Sequence, residues 1–301
     1  MRVAVLGPGG VGGLLAAALH DSGCPVTVLA SETTAATIAG RGIRVSSVRF
    51  GELTARPPVV SVLTEPVEAL IVATKAIGLP EALDRVRADP ELVLPLLNGL
   101  DHLPLLRRRF APETVLAGAI RVEADRPEPG VVVHTSPFLR IDMAGDPRCA
   151  AATTELAAAL EHAGVPVRVL DSEPLVLWSK LVRLNALACT TSAYDMKLGQ
   201  ILSTPELRAE LVGAIEEGCA VAAAEGAPLD AGDPLGELSA AHPSLGSSMQ
   251  RDIAAGRTPE LEAIPGSVLR AAARHGIACP TVERLAAAIA LRAGLPAPLA
   301  G

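Results

Sequence analysis

Aromatic residues and positive charge are both scarce in this sequence, and each shortage argues against a class of partner. The 301 residues include one Trp, one Tyr and three Phe, too few for the aromatic platforms that stack on single-stranded nucleic acid. A formal net charge of −7 is unsuited to binding nucleic acid or an anionic membrane surface. We therefore expect neither nucleic acid nor membrane as a partner.

Paired cysteines and long apolar runs are also missing. The five cysteines are scattered and form no C-x-x-C pair, which fits reduced cytoplasmic thiols better than a disulfide framework or a zinc site. No apolar run reaches the roughly 20 residues that a membrane-spanning helix needs. We predict a cytoplasmic protein with no metal site, long enough for two domains.

A glycine-rich turn follows a short apolar run near the start of the chain. Residues 3–6 suit a buried parallel strand, and Gly7, Gly9 and Gly12 then fit G-x-G-x-x-G ahead of a helical stretch. The first glycine permits a tight turn, the second lets a pyrophosphate approach the backbone, and the third lets helix and strand pack closely. A structural turn is the alternative, but the strand before and the helix after favour dinucleotide binding. The predicted cofactor-binding residues of this loop are Gly7, Gly9, Gly10, Val11 and Gly12.

Strand-like and helix-like segments alternate through the first half of the chain, which is typical of a doubly wound parallel sheet. Residues 114–143 look like antiparallel strands, and from Glu173 onward only helical spacing remains. We predict an α/β fold with a Rossmann-type domain over 1–172 and an all-helical domain over 173–301, where Ser172 would cap the first helix. The helices predicted in the second half are 175–188, 205–225, 247–255, 260–275 and 281–292.

Polar residues stand where several predicted strands end, the edge at which such sheets bind ligands. Ser31 follows the second strand, Lys75 follows the run ALIVAT, and Asn98 follows LVLPLL. Lys75 could reach a cofactor phosphate or ribose, and Asn98 the nicotinamide ribose or a substrate oxygen. A solvated lysine and a turn-forming Asn-Gly pair are the alternatives.

Three polar residues of the helical half are candidates for chemistry. Lys180 lies within the apolar segment PLVLWSKLVRL, where it either reaches out to solvent or serves as a proton donor to a carbonyl oxygen. Glu260 follows a proline at a predicted helix start, so helix-dipole complementarity explains it equally well. Ser248 could be a helix N-cap.

Taken together, the motifs outweigh these separate explanations. The order G-x-G-x-x-G, TKA, LNG, LWSKL, SSMQRDI, PELEAIPG and HGIACP resembles the ketopantoate reductase (2-dehydropantoate 2-reductase) family over nearly the whole chain. The resemblance implies NADPH-dependent reduction of a 2-keto acid to a 2-hydroxy acid, most simply ketopantoate to pantoate in pantothenate biosynthesis. It makes Lys180 the general acid and Glu260 the catalytic residue that binds the substrate hydroxyl. It also implies that Asn98 contacts nicotinamide and substrate, Ser248 the substrate carboxylate, and Lys75 the cofactor.

The chain departs from the family pattern at the predicted cofactor site. Many members carry Arg after the second strand, where a guanidinium can hold the 2′-phosphate of NADPH. Here that position is Ser31, followed by Glu32, and a carboxylate would rather accept from a ribose 2′-hydroxyl. NADP(H) is the cofactor implied by the resemblance, NAD(H) is the alternative, and we hypothesise that the NADPH preference is weakened or lost.

A second departure follows the lysine. Family members that reduce ketopantoate commonly carry Asn four and eight residues after it, where this chain has Leu184 and Ala188. Asn185, five residues on, is rotated away from the first of these positions, yet it is the amide we predict for substrate binding if the helix is distorted. We hypothesise a more apolar pocket and a physiological substrate other than ketopantoate.

Two other functions stay open at this point. The pair Ser31-Glu32 would also suit an NAD-dependent 2-hydroxy acid dehydrogenase of the same fold. A non-catalytic NAD(P)-binding regulator is the third alternative, although the presence of both Lys180 and Glu260 argues against it. Apolar Ala/Leu helix faces are compatible with a homodimer and equally with a monomer core.

Overall fold

The computed structural model describes residues 1–298. By its contacts the chain divides into two compact units, an N-terminal unit of residues 1–97 with 102–176 and a C-terminal unit of residues 98–101 with the described residues from 177 onward. The short loop 98–101, which includes Asn98, thus belongs with the helical half. The predicted domain boundary between 172 and 173 coincides with the start of a long helix and stays a prediction.

The N-terminal unit alternates strands and helices over its first 41 residues, and four strands then follow one another before the next helix. Its strands are β1 (Val3–Leu6), β2 (Val26–Leu29), β3 (Ile43–Ser47), β4 (Gly51–Ala55), β5 (Val59–Val60), β6 (Ala69–Val72), β7 (Leu92–Pro95), β8 (Ala117–Arg121), β9 (Ala124–Glu128), β10 (Val131–His134), β11 (Arg140–Ala144) and β12 (Val167–Val169). Its helices are α1 (Gly10–Asp21), α2 (Glu32–Arg41), α3 (Leu79–Leu83), α4 (His102–Arg109) and α5 (Ala150–His162).

Five parallel strands form the sheet that carries the glycine loop. Their order is β5-β2-β1-β6-β7, with Leu6 of β1 paired to Leu29 of β2 and to Val72 of β6. Every residue of β1, β6 and β7 is buried, as expected of strands covered on both faces. The carboxyl ends of β2, β1 and β6 therefore lie side by side, which confirms the predicted Rossmann-type arrangement.

The remaining strands form two smaller sheets, of order β4-β3-β10-β9 and β12-β11-β8. The antiparallel strand pairing predicted over 114–143 is confirmed for the pairs β8 with β11 and β9 with β10. The prediction is incomplete, because β10 also pairs in parallel with the distant β3. Turn residues indicate only local structure, so they could not predict a pairing between segments so far apart in the sequence.

One face of the β12-β11-β8 sheet holds a buried carboxylate among arginines. Asp142 is 1 % exposed and accepts paired hydrogen bonds from Arg140 (2.9 and 3.1 Å) and from Arg168 (2.7 and 3.0 Å). Burial alone would raise the pKa of Asp142, but the hydrogen bonds from Arg168 and Arg140 outweigh it and hold that pKa below its ordinary value. This charged cluster ties β11, which carries Arg140 and Asp142, to β12, which carries Arg168.

From Glu173 onward the described residues form helices joined by loops, with no strand among them, which confirms the predicted fold class. These helices are α6 (Glu173–Tyr194), α7 (Leu198–Ser203), α8 (Pro205–Ala224), α9 (Gly232–Ser239), α10 (Ser248–Ala254), α11 (Ser267–His275) and α12 (Pro280–Ala293). At the start of α6 the hydroxyl of Ser172 accepts a hydrogen bond from the amide of Leu175 at 3.3 Å, as predicted for a cap. Among the described helices, none is both long and apolar enough to cross a bilayer.

The predicted helix over 260–275 is wrong in its first turns. Residues Glu262–Gly266 form a π-helical turn, and the α-helix α11 begins only at Ser267. Pro265 lies inside the turn and has no amide hydrogen to donate to an α-helical ladder. The amide of Gly266 instead reaches back five residues to the carbonyl of Leu261 at 3.0 Å, so Glu260 precedes the helix rather than opening it.

Candidate active site

The three motif glycines of the N-terminal unit are required for different reasons. Gly7 has φ +88°, and a Cβ there would lie 2.6 Å from Cγ2 of Thr74. A Cβ on Gly12 would lie 2.2 Å from the carbonyl oxygen of Gly7. On Gly9, by contrast, it would meet only the carbonyl oxygen of Ala73 at 3.9 Å. The chain itself thus leaves the space above Gly9 open, as a phosphate-binding turn requires.

Helix α1 begins at Gly10 with Gly9 as its N-cap, and no acidic residue lies in its first turn. A Cβ on Gly10 would lie 2.4 Å from the carbonyl oxygen of Ala124, so this glycine serves packing within the unit. Val11 is half-buried against the core of the parallel sheet. The first amides of a helix have no intrahelical acceptor and carry partial positive charge, so this end of α1 suits a pyrophosphate.

Ser31 and Lys75 lie at the carboxyl ends of the neighbouring strands β2 and β6. Ser31 is the N-cap of α2, and its hydroxyl bonds to that of Thr34 at 3.1 Å. The next residue, Glu32, is exposed, and so is Lys75, which directly precedes a short 3-10 turn. Beyond β2 the loop therefore carries a hydroxyl next to an exposed carboxylate.

Thr74 is a polar residue of this edge that the sequence analysis missed. Its hydroxyl oxygen is buried and has no hydrogen-bond partner among the described residues, and its methyl group lies next to Gly7. A buried polar atom without a partner is costly unless something completes its hydrogen bonding. A ribose or phosphate oxygen of a dinucleotide would do so, so the residues present fit that cofactor.

In the C-terminal unit three predicted residues form a continuous hydrogen-bonded chain. The ammonium of Lys180 donates to Oδ1 of Asn98 at 2.8 Å. The amide of Asn98 in turn donates through Nδ2 to Oε2 of Glu260 at 2.8 Å. All three side chains are half-buried. The amide thus lies between a cation and a carboxylate. Its oxygen faces the ammonium of Lys180, and its nitrogen faces the carboxylate of Glu260.

The elements that supply these side chains explain why they meet. Lys180 is on α6, Glu260 lies two residues before the start of the π-helical turn, and Asn98 opens the loop 98–101. Gly99 has φ +80°, and a Cβ there would lie only 1.9 Å from the carbonyl oxygen of Ala263 in that turn. Only a residue without a side chain lets the loop approach the turn so closely. The dipeptide Asn98-Gly99 is therefore more than a turn signal.

Ser248 is not part of the hydrogen-bonded set formed by Lys180, Asn98 and Glu260. Ser248 is the first residue of α10 and is exposed, while the helix cap is its neighbour Ser247. The hydroxyl of Ser247 accepts from the amide of Gln250 at 3.0 Å and from the hydroxyl of Thr191 at 3.0 Å. The alternative that Ser248 is the cap is thus wrong, and its hydroxyl stays accessible to a ligand.

Asn185 also lies apart from the three-residue chain. Its side chain is fully buried, and Oδ1 accepts a weak hydrogen bond from Sγ of Cys189 at 3.3 Å. Its Nδ2 has no partner among the described residues. Leu184 is half-buried and Ala188 is fully buried. Five residues of α-helix turn Asn185 away from the face that carries Lys180.

This arrangement can transfer a proton to an oxygen held beside Lys180. An ammonium is a general acid, and a carboxylate close to it can accept a hydrogen bond from the hydroxyl that forms. The intervening amide fixes both groups without itself exchanging a proton. Such a set suits the reduction of a carbonyl group.

Comparison with known proteins agrees with this chemistry. The family model described as "Ketopantoate reductase PanE/ApbA" matches residues 3–144, and its C-terminal counterpart matches residues 175–293. A 2-dehydropantoate 2-reductase of Halobacterium salinarum is 30% identical, over 95% of this chain and 97% of that protein.

Solved structures show the same likeness. A 2-dehydropantoate 2-reductase from Geobacter metallireducens superposes with a TM-score of 0.89 at 28% identity, covering 97% of this chain and 99% of that one. D-mandelate dehydrogenase, solved with NADH and anilino(oxo)acetate, superposes with a TM-score of 0.89 over 98% of this chain and 99% of that one. At 22% identity, the second likeness shows the fold alone.

Proposed function

The chain belongs to the ketopantoate reductase family of nicotinamide-dependent oxidoreductases, and we propose that it reduces a 2-keto acid to the 2-hydroxy acid. Ketopantoate, the substrate named for its relatives, is the first candidate. The single observation that carries this proposal is the chain Lys180–Asn98–Glu260, with both hydrogen bonds at 2.8 Å.

The cofactor, when bound, supplies the hydride that reduces the keto carbon. Lys180 then gives a proton from Nζ to the former keto oxygen, so that the charge developing there never persists. Glu260 accepts a hydrogen bond from the hydroxyl that results and keeps the substrate oxygen beside Nζ. Asn98 accepts from Nζ and donates to the carboxylate, which holds the two catalytic groups in place before the substrate arrives.

The residues proposed to hold the cofactor are those of the glycine loop and the neighbouring strand ends. Gly9 leaves room for the pyrophosphate and the first amides of α1 bind it. The buried hydroxyl of Thr74 donates to a cofactor oxygen, Lys75 reaches a phosphate or ribose, and Asn98 contacts the nicotinamide ribose. The remaining proposed contacts are those of Gly7, Gly10, Val11, Gly12 and Ser31.

The choice between the two nicotinamide cofactors follows from Ser31. A serine hydroxyl and the adjacent carboxylate of Glu32 can bind a ribose 2′-hydroxyl, but they lack the paired donors that a 2′-phosphate prefers. We therefore propose that this chain has lost much of the NADPH preference implied by the family. The same pair of residues favours the second candidate function, NAD-dependent oxidation of a 2-hydroxy acid.

The substrate pocket is proposed to lie along the face of α6 that carries Lys180. Ser248 keeps an accessible hydroxyl for the substrate carboxylate, whereas Leu184 offers an apolar surface one turn after the lysine. Substrate binding by Asn185 stays a prediction. An apolar pocket disfavours the hydroxyl-bearing end of ketopantoate relative to a 2-keto acid with a branched hydrocarbon side chain.

Oxidation of NADPH and of NADH, followed spectrophotometrically with ketopantoate beside a panel of branched 2-keto acids, tests these proposals. Turnover of ketopantoate with NADPH would mean that both departures are tolerated. Activity with other keto acids, or with NADH alone, would mean that Leu184, Ala188 and Ser31 redirect the site. Tight cofactor binding without turnover of any keto acid would favour the regulator instead. The cytoplasmic location and the homodimer stay predictions.

A further inference from the structure

Arg270 makes contacts that no function assigned so far requires. It lies on α11 with its side chain 24% exposed. Its Nη2 donates to Oδ2 of Asp101 at 2.5 Å and to the backbone carbonyl of Glu262 at 2.7 Å. Its Nη1 donates to Oε2 of Glu262 at 2.7 Å. One guanidinium thus binds two carboxylates and a carbonyl oxygen.

The two segments joined in this way are the ones that carry Asn98 and Glu260. Asp101 closes the loop 98–101, which Asn98 opens. Glu262 begins the π-helical turn, two residues after Glu260. All of these residues belong to the C-terminal unit. Arg270 is therefore linked through short backbone connections to both partners of the 2.8 Å hydrogen bond between Nδ2 and Oε2.

The packing around the guanidinium leaves little freedom for another arrangement. A Cβ on Gly266 would lie 3.0 Å both from Nη1 of Arg270 and from Oε2 of Glu262, so the glycine makes room for their contact. On the other side, Gly99 already touches the carbonyl of Ala263. The loop and the turn are thus packed against each other at one point and held by an ion pair at another.

We propose that Arg270 is a positioning residue of the reductase. It holds the loop 98–101 against the π-helical turn, and in this way it keeps Asn98 in line between Lys180 and Glu260. This inference rests on the proposed function, since it assigns a catalytic purpose to that line. The planar guanidinium, with several donors at fixed angles, suits three acceptors from two segments better than an ammonium does.

The test compares Arg270→Gln with Arg274→Gln, a matched control on the same helix. Arg274 lies one turn further along α11 and pairs with Glu225 at 3.0 Å, so its loss also removes an exposed ion pair. Arg270→Lys, which keeps the charge, completes the set. The measurements are kcat, KM for the keto acid, cofactor affinity by fluorescence titration, the pH profile of kcat, and amide hydrogen exchange.

We expect Arg270→Gln to lower kcat by roughly 10- to 100-fold, the loss typical of catalytic groups displaced by about 1 Å. Its pH profile should shift, because the amide between Lys180 and Glu260 is no longer aligned, while cofactor affinity stays within about twofold. Exchange should rise at residues 98–101 and 260–266. Arg270→Lys should recover part of kcat, and Arg274→Gln should leave kcat and the pH profile unchanged.

The experiment distinguishes a failure of the proposed reductase function from a failure of the role proposed for Arg270. If the wild type turns over no 2-keto acid, the proposed reductase function fails, and hydrogen exchange still decides whether Arg270 holds the two segments. If Arg270→Gln leaves exchange at 98–101 unchanged, or keeps wild-type kcat and pH profile, Arg270 is an ordinary ion-pairing residue and the proposal is overturned.

Discussion

Replacing Asn98 by leucine removes both hydrogen bonds of the proposed catalytic line while keeping the branched shape of the side chain. Each bond joins the amide to a charged group at 2.8 Å, and such bonds contribute about 1.5–3 kcal/mol. Because the three side chains are half-buried, water can replace part of each bond, and the lower figure applies. A total of about 3 kcal/mol corresponds to a kcat/KM roughly 150-fold below that of the wild type.

Asn98→Asp tests the two hydrogen bonds of the proposed catalytic line separately. It keeps an acceptor for Lys180 but replaces the donor to Glu260 with a second carboxylate oxygen. Two carboxylates at that distance repel each other, and a proton shared between them relieves the repulsion. A proton taken up at lower pH then restores a hydrogen bond between them. The defect of this variant should therefore shrink as the pH falls from 8 to 5.

Steady-state oxidation of NADPH or NADH across that pH range measures both variants. Fluorescence titration of the cofactor is the control, since Asn98 is also proposed to contact the nicotinamide ribose. The Asn98→Leu defect should be nearly independent of pH, in contrast to that of Asn98→Asp. A kcat/KM for Asn98→Leu within threefold of the wild type would refute the role given to the amide.

Three other predictions follow. Ser31→Arg should raise the ratio of kcat/KM for NADPH over NADH by roughly tenfold or more, since a guanidinium adds paired donors for the 2′-phosphate; an unchanged ratio in steady-state assays would contradict this. Gly9→Ala should leave the melting temperature unchanged but abolish cofactor binding in a fluorescence titration. Gly12→Ala should lower the melting temperature as well as abolish cofactor binding, because its Cβ would lie 2.2 Å from a carbonyl oxygen. Asp142→Asn should destabilise the protein by about 1.5–3 kcal/mol in chemical denaturation, because it weakens the charge-assisted hydrogen bonds that Arg140 and Arg168 donate to this buried carboxylate. Since the folded pKa of Asp142 is lowered, the wild type should also lose stability as the pH falls below about 4 and through that pKa. A variant equal to the wild type at pH 7 would disprove the account.

The glycine loop could be predicted from the sequence because its requirements are local. A buried apolar strand, three glycines at fixed spacing and a helix start lie within a few consecutive residues, so Gly7, Gly9 and Gly12 could be assigned separate roles. The structure adds what the spacing could not contain. Gly10 is needed for contact with Ala124, a residue far along the chain, and the hydroxyl of Thr74 is buried without a partner.

The π-helical turn shows where periodicity misleads. Apolar spacing over 260–275 suits an α-helix, but Pro265 has no amide hydrogen and the amide of Gly266 reaches back five residues. The turn places Glu260 ahead of the helix. Arg270 was missed for a related reason, because an arginine on a helix ordinarily signals a solvated face.

By itself, the sequence determined the fold class and the residue types of the site, because strand-turn-helix signals and apolar periodicity act over short stretches of chain. Only the tertiary structure decided that Lys180, Asn98 and Glu260 form one hydrogen-bonded line, since they come from three segments widely separated in the chain. Hydrogen bonds of 2.8 Å depend on the packing of loop 98–101 against the π-helical turn. That packing is fixed by contacts of Gly99 and Arg270 with residues that no local pattern relates to them.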